Sequence, residues 1–385
     1  MVALTPDRFG TVANPRQQLD YIHGLRGFAA IIVVLQHALQ MVHEGGVGWF
    51  DPLLMNLNLG RFGVVLFFLI SGFVIPYSLR GARPVRDFLI SRFLRLYPAY
   101  WVSLLALTVV ADLTGHHPDV ATFLSNITML QGLWGAENIG PGYWSLLYEM
   151  VFYGLCVALF AAGMLRTIWV NAAIAGGLLL VVLGSTLGEL FDYEPVGIAD
   201  RLFLTSLFFT GLMLRRATVD AEPVAWRWSL VLVPMTVAGG LAMGGTFTEM
   251  PSNANIYFSP IALSAAMALP VLFFALVLWT RPKVPTLLMY AGTISYSVYL
   301  FQDIGLHLLP LTLAPGTWPL TYIAAVATLT TVVAVLVYQF VERPALDLRR
   351  RWMARLNTAA DPRLPDQPAT AASAASARST SSAVL

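Results

Sequence analysis

The sequence predicts an all-α bundle of about ten membrane-spanning helices, and three observations predict it. Charged residues make up 11% of the 385-residue chain and hydrophobic ones 57%, whereas a soluble domain carries about 25% charged residues. Apolar stretches close to the roughly 20 residues that cross a bilayer recur along most of the chain. The basic residues gather on one side of those stretches and the acidic ones on the other, the bias that sets membrane orientation. The net charge of +2 says little about partners beyond membrane lipids, and no nucleic-acid contact is expected.

Taken in order, residues 1–18 are polar and lack an apolar core. They are expected to form a cytoplasmic N-terminal segment without a cleavable signal peptide, the stretch after Arg26 serving as an uncleaved anchor. Apolar spans follow at 24–42, 61–80, 97–113, 144–164, 168–188, 202–214, 228–246, 260–280, 285–308 and 319–341. With the N-terminus inside, the inner segments hold Arg8, Arg16, Arg26, Arg80, Arg83, Arg86, Arg92 and Arg95 in the first part of the chain. Further on they hold Arg166, Arg215, Arg216, Arg227, Arg281, Lys283, Arg343 and the run Arg349–Arg351. The outer segments hold only Arg61 and Arg201 as basic residues, against Glu44, Asp51, Asp112, Asp119, Glu137, Asp192, Glu194 and Glu249. Both termini are therefore expected in the cytoplasm, with the bundle in a bacterial-type inner membrane.

Phe88 to Leu96 reads as an amphipathic piece on the inner membrane surface, after which Pro98 would start or kink the next helix. The transmembrane domain is placed at 19–345 and a cytoplasmic low-complexity tail at 346–385, where Ala, Ser, Thr and Pro richness after about Asn357 predicts disorder. Cys156 is the single cysteine, so an intrachain disulfide is impossible. His116 and His117 sit side by side in the long 114–143 loop with no third ligand at a sensible spacing, and no metal site is expected.

Ionisable groups inside spans each need a reason, because burying them in lipid is costly. They are His37, Glu149 and Asp303. Arg26 and His37 are eleven residues apart, close to three turns, so they share one face of one helix about 16 Å apart. Counted from the ends of their spans, His37 and Glu149 both lie roughly 7–8 Å below the outer surface. That points to a histidine base oriented by a carboxylate, although a packed histidine and an ion-paired glutamate would place the same residues there. On the inner side Arg92 and Arg95, at i and i+3, share a face; they fit either lipid-headgroup anchoring or a phosphate-binding lip beside Arg26. No Walker, Rossmann or Gly-x-Ser-x-Gly pattern stands in a usable context.

Leu25-Arg26-Gly27 with His37, Arg92-x-x-Arg95 ahead of Tyr97-Pro98, Trp144-Ser145-Leu146 with Glu149, Ser295-Tyr296-Ser297-Val298-Tyr299-Leu300 and Glu342-Arg343-Pro344 together resemble the acyltransferase 3 family of integral membrane acyltransferases. The resemblance covers about residues 17–345. It implies transfer of an acyl group, usually acetyl, from acyl-coenzyme A (acetyl-coenzyme A) to a hydroxyl of a glycan, lipid-linked sugar or macrolide. It further implies that His37 is catalytic and that Arg92 and Arg95 handle the donor. Members similar in the Tyr-Leu stretch often carry a histidine where Gln302 stands, and no catalytic role is assigned to Gln302. On this reading Arg26, Arg92 and Arg95 hold the phosphates of coenzyme A, and its pantetheine arm reaches His37. His37 takes the acceptor proton or forms an acyl-histidine, and Glu149 steadies the imidazole. A transporter or flippase of a lipid-linked glycan is the competing reading, lowered by the lack of internal repeats or paired broken helices.

Overall fold

The computed structural model describes residues 17–189, 196–246 and 259–358. Arg8, Arg16, Asp192, Glu194, Glu249 and residues 359–385 lie outside this set. The described chain is helical, in the order α1 (Gln17–Glu44), α2 (Asp51–Asn56), α3 (Leu59–Val74), α4 (Pro84–Leu113), α5 (Val120–Asn126), α6 (Trp144–Ala161), α7 (Ile168–Glu189), α8 (Val196–Thr218), α9 (Pro223–Thr246), α10 (Pro260–Thr280), α11 (Thr286–Leu308), α12 (Pro319–Val337) and α13 (Arg343–Thr358). Eight of these stretches, on α1, α3, α4, α6, α7, α9, α10 and α12, are long and apolar enough to cross a bilayer. The protein is a multi-pass membrane bundle.

The two remaining expected spans, α8 and α11, are the more polar helices, and their packing explains how that is tolerated. The α8 helix lies against α3, α7 and α9, and α11 against α1, α4 and α12. Ser206 and Thr210 of α8 are fully buried, as are Ser295, Ser297, Gln302 and Asp303 of α11. Such groups face helices rather than lipid, so their hydrogen bonds can be made within the protein. Lipid tails are as apolar as leucine, so close packing has to hold such helices together. The α1–α11 seam is built for that. A Cβ on Gly292 would stand 2.1 Å from the His23 carbonyl oxygen, and one on Gly27 would stand 2.4 Å from that of Leu288. His23 Nε2 and Thr293 Oγ1 are 3.0 Å apart across the same seam. Elsewhere stacked rings join three helices: Phe68 of α3 on Phe208 of α8 at 4.7 Å, and Phe208 on Phe152 of α6 at 4.2 Å.

Two sequence expectations change. Residues 88–96 are not a separate surface piece, because α4 runs unbroken from Pro84 to Leu113 with Pro98 inside it; lipid-embedded helices tolerate an internal proline when neighbours satisfy the freed backbone. The chain from residue 346 continues as helix α13 to Thr358, joined to α12 by a π-helical turn at Tyr338–Glu342.

The 114–143 loop also does more than connect. Three α4 side chains donate to its backbone: Tyr97 Oη to Thr128 O at 2.9 Å, Tyr100 Oη to Asn126 O at 2.6 Å and Trp101 Nε1 to Ile127 O at 3.0 Å. Asn126, fully buried, ties the loop to itself through Glu137 O and the Ile139 N–H. Asp119 caps α5 by accepting the Thr122 N–H at 2.7 Å, and that bond with the Thr122 hydroxyl holds its carboxyl below the ordinary range. The loop thus folds back along α4, and α6 starts beside Ser103, whose Oγ lies 2.6 Å from Tyr143 Oη. That is ten residues, roughly 15 Å, short of the α4 terminus.

Candidate functional site

The folded-back loop decides what Glu149 can reach. Starting α6 so far down places Glu149 beside the arginines and away from the level of His37. Glu149 lines a pocket of about 1050 Å³ of open space together with Arg26, Arg92, Arg95, Tyr153 and Arg349; His37 does not line it. Tyr153 Oη donates to Glu149 Oε1, and the Glu149 carboxylate interacts with the Arg26 guanidinium. The expected pairing of Glu149 with His37 is therefore replaced by a Glu149–Tyr153–Arg26 arrangement. The depth reading counted from the start of α6, and α6 begins beside Ser103, ten residues short of the α4 terminus.

The three arginines named from sequence do converge, from α1 and α4. Arg95 Nη1 meets Glu342 Oε2 at 3.1 Å with side chains only 10% and 1% exposed. Glu342 is brought there by the π-helical turn, and Ser297 Oγ donates to its other oxygen. Arg92 lies over the rings of Phe88 at 5.5 Å and Tyr153 at 5.7 Å. Even so, Arg92 Nε and Arg95 Nη2 are buried donors that meet no acceptor among the described residues. A fourth arginine, Arg349 of α13, joins the lining and donates from Nη1 to Ser91 Oγ at 3.2 Å. Sequence reading had counted it only in a basic run. Four guanidinium groups against the carboxylates of Glu149 and Glu342 leave two positive charges in excess, and with unpartnered donors the arrangement suits a multiply charged anion.

His37 sits eleven residues along α1 from Arg26, about 16 Å up the same face. Its Nδ1 lies 2.8 Å from Gln40 Oε1. With Nδ1 donating to that oxygen, the neutral ring keeps its lone pair on Nε2, the tautomer a general base uses. Gln40, one turn on, is thus the ring's orienter, a role that sequence reading missed.

The carboxylate near His37 is Asp303. The His23–Thr293 contact and the Gly27–Leu288 approach set a register in which α11 residues about 261 to 270 positions later stand level with α1; this brings 298–307 to the height of His37. Asp303 is buried, interacts electrostatically with His37 and His307, and accepts the Gly142 N–H. His307 donates from Nδ1 to the Asp303 carbonyl at 2.7 Å. Gln302 is buried beside it, with Nε2 donating to Tyr299 O at 3.3 Å. Between the two charged regions stand Ser145 and Tyr299, which close the pocket end nearest His37.

His117 Nδ1, in the loop, pairs at 3.0 Å with Asp112 at the end of α4, both well exposed.

A family model described as an acyltransferase domain matches residues 19–339. The chain is 26% identical over 377 residues to nodulation protein 10 of Rhizobium leguminosarum bv. viciae, covering 86% of this chain and 94% of that one. It is 25% identical over 327 residues to the exopolysaccharide production protein ExoZ of Rhizobium meliloti (strain 1021), covering 79% and 94%. Over a shorter stretch of 145 residues it is 33% identical to acyltransferase MdmB of Streptomyces mycarofaciens, 35% of this chain and 38% of that one. No solved structure matches.

Proposed function

Because the chain belongs to this acyltransferase family and is a membrane acyltransferase, we propose that it moves an acyl group, acetyl in the first instance, from acyl-coenzyme A to a hydroxyl of a glycan or lipid-linked sugar. The observation that carries this reading is one helix face with a guanidinium at one end and an imidazole held by Gln40 eleven residues on. Arg26, Arg92, Arg95 and Arg349 hold the donor's phosphates. The extended pantetheine arm is comparable in length to the interval up to His37. His37 Nε2 removes the proton of the acceptor hydroxyl as its oxygen bonds to the thioester carbon; the carbon–sulfur bond breaks, and the thiolate leaves with the proton His37 returns. Glu149 belongs to the donor pocket in this reading, where it offsets Arg26, and Asp303 offsets the positive charge His37 gains.

The one-sided basic residues support a cytoplasmic arginine end, the side on which coenzyme A is found. Acceptor would then arrive from the outer half, and the exopolysaccharide-related name of one relative favours a glycan there. The test uses sealed, oriented vesicles with labelled acetyl-coenzyme A on the arginine side and candidate glycolipid inside. Label on luminal acceptor is expected, and His37→Ala should abolish it while leaving coenzyme A affinity within about twofold. Retention of more than a few per cent of turnover by His37→Ala, or label only on acceptor supplied at the arginine side, would defeat the reading.

A further inference from the structure

The pocket ends at two hydroxyls whose bonding is unusually arranged. Ser145 Oγ and Tyr299 Oη are 2.7 Å apart, and each also reaches the Gly142 carbonyl oxygen, at 3.1 Å and 3.0 Å. Each hydroxyl has one proton, so three contacts compete for two protons. One contact is in excess. A carbonyl oxygen arriving from the pocket can take the Tyr299 proton while Ser145 continues to satisfy Gly142, and no buried polar group is orphaned by the exchange. Both side chains are nearly buried, at 6% and 9% exposure, and both face the pocket. In such a water-poor setting a fixed donor counts for far more than it does in water.

Position supports the same role. Along α4, Arg95 and Ser103 are eight residues apart, roughly 12 Å, and Ser103 is bonded to Tyr143, two residues before Ser145. The hydroxyl pair therefore stands one pantetheine-scale step from the arginines. On its far side the N–H of the same residue, Gly142, is held by Asp303, the carboxylate facing His37. Gly142 thus has its C=O tied to the pocket end and its N–H, in the preceding peptide group, tied to the histidine end. Its position is fixed further by ring contact between Phe67 and Tyr299 at 6.0 Å.

We infer that Tyr299 is the donor that receives the thioester carbonyl oxygen and holds the negative charge it gains during transfer, with Ser145 freeing it for that role by keeping the Gly142 carbonyl satisfied. The inference rests on the acyl-transfer reading above. As the acceptor oxygen bonds to the carbonyl carbon, the electrons of the C=O π bond move to the oxygen. Tyr299 donates to that oxygen directly and Ser145 takes over Gly142. Collapse restores the C=O bond and expels the coenzyme A thiolate, which takes the acceptor's proton from His37.

The test measures turnover, coenzyme A affinity and the carbonyl itself on the full-length protein. Removing one oxyanion donor costs about 10²-fold or more in kcat, so Tyr299→Phe should lose about that factor with coenzyme A affinity within about twofold. Ser145→Ala should lose about tenfold. With ¹³C-acetyl-coenzyme A bound to His37→Ala, which keeps the thioester intact, isotope-edited infrared spectroscopy should show a carbonyl stretch below that of free donor. The shift should vanish in His37→Ala/Tyr299→Phe. An unchanged shift in that double variant, or turnover of Tyr299→Phe within threefold of the parent, would overturn the inference while leaving acyl transfer standing. A parent protein that binds coenzyme A but transfers no acetyl to any acceptor would remove the acyl-transfer reading and the inference together.

Discussion

Arg61 and Arg95 are both guanidinium groups in apolar helices, with side chains 15% and 10% exposed, and the fold treats them oppositely. Arg61 of α3 is completed from within. Its Nη2 meets Asp200 of α8 at 2.8 Å, and its guanidinium lies over the Trp144 ring at 5.4 Å. Arg95, with Arg92 three residues before it, is left incomplete, with buried donors facing a pocket. An arginine at a helix centre costs about 2.5–3.5 kcal/mol to insert, by translocon measures. A structural arginine recovers that cost through a fixed counter-charge. Arg95 also has a fixed counter-charge in Glu342, but its Nη2, like Nε of Arg92, is left for a ligand to meet, so the difference separates a staple from a binding group.

The comparison is broken most directly at Arg95. Arg95→Ala removes one guanidinium of the proposed phosphate site and also strands Glu342, which is 1% exposed on its side chain. Losing one partner of a buried pair costs about 3–5 kcal/mol. Thermal unfolding in detergent should therefore drop sharply, and coenzyme A binding by calorimetry should weaken more than tenfold. Replacing Glu342 by Gln in the same protein should recover part of the melting temperature and none of the affinity. Arg92→Ala sharpens the contrast, because Arg92 has no carboxylate partner in the salt bridges formed by the described residues. Coenzyme A affinity should fall about tenfold, more at low salt than at high, with melting within a degree or two; unchanged affinity would return Arg92 to headgroup anchoring. The smallest effect belongs to Arg61→Ala, expected to cost roughly 1–2 kcal/mol of stability and to leave coenzyme A affinity unaltered. Altered affinity there would show that the two arginine classes are not distinct.

The helical bundle was legible because span length and charge bias are properties of the linear chain. Arg26, Arg92 and Arg95 were legible for a related reason, since i, i+3 and i, i+11 spacings translate directly into helix faces. The pairing of His37 with Glu149 was not, because it depended on where α6 begins. That is set by Tyr97, Tyr100 and Trp101 reaching to loop carbonyls, and bonds to backbone leave no mark on hydrophobic periodicity. Asp303 stood out as a buried acid, yet its neighbour could be identified only from the α1–α11 register. Arg349 was hidden among adjacent arginines, and nothing in composition distinguishes the one that turns inward. Ser145 and Tyr299 were visible only as members of resembling motifs; their joint grip on Gly142 is a tertiary fact.

The π-helical turn at Tyr338–Glu342 carries a consequence for how this chain tolerates change. A wide turn accommodates one residue more than the regular helix would, and so offsets the rotational phase of everything after it. α12 is written in one phase and α13 in another. The two agree only at that turn, where Glu342 reaches Arg95 and Ser297 while Arg349, seven residues later, reaches Ser91. Run as a regular helix with the same residues, the segment would swing α13 by about 100°, carrying Arg349 away from the pocket without altering one side chain of either helix; loss of one residue within the turn would instead remove the surplus and leave α13 close to its present phase. In this segment a substitution that closes the wide turn is the damaging change, and a one-residue deletion inside it is the change of length that the segment can absorb.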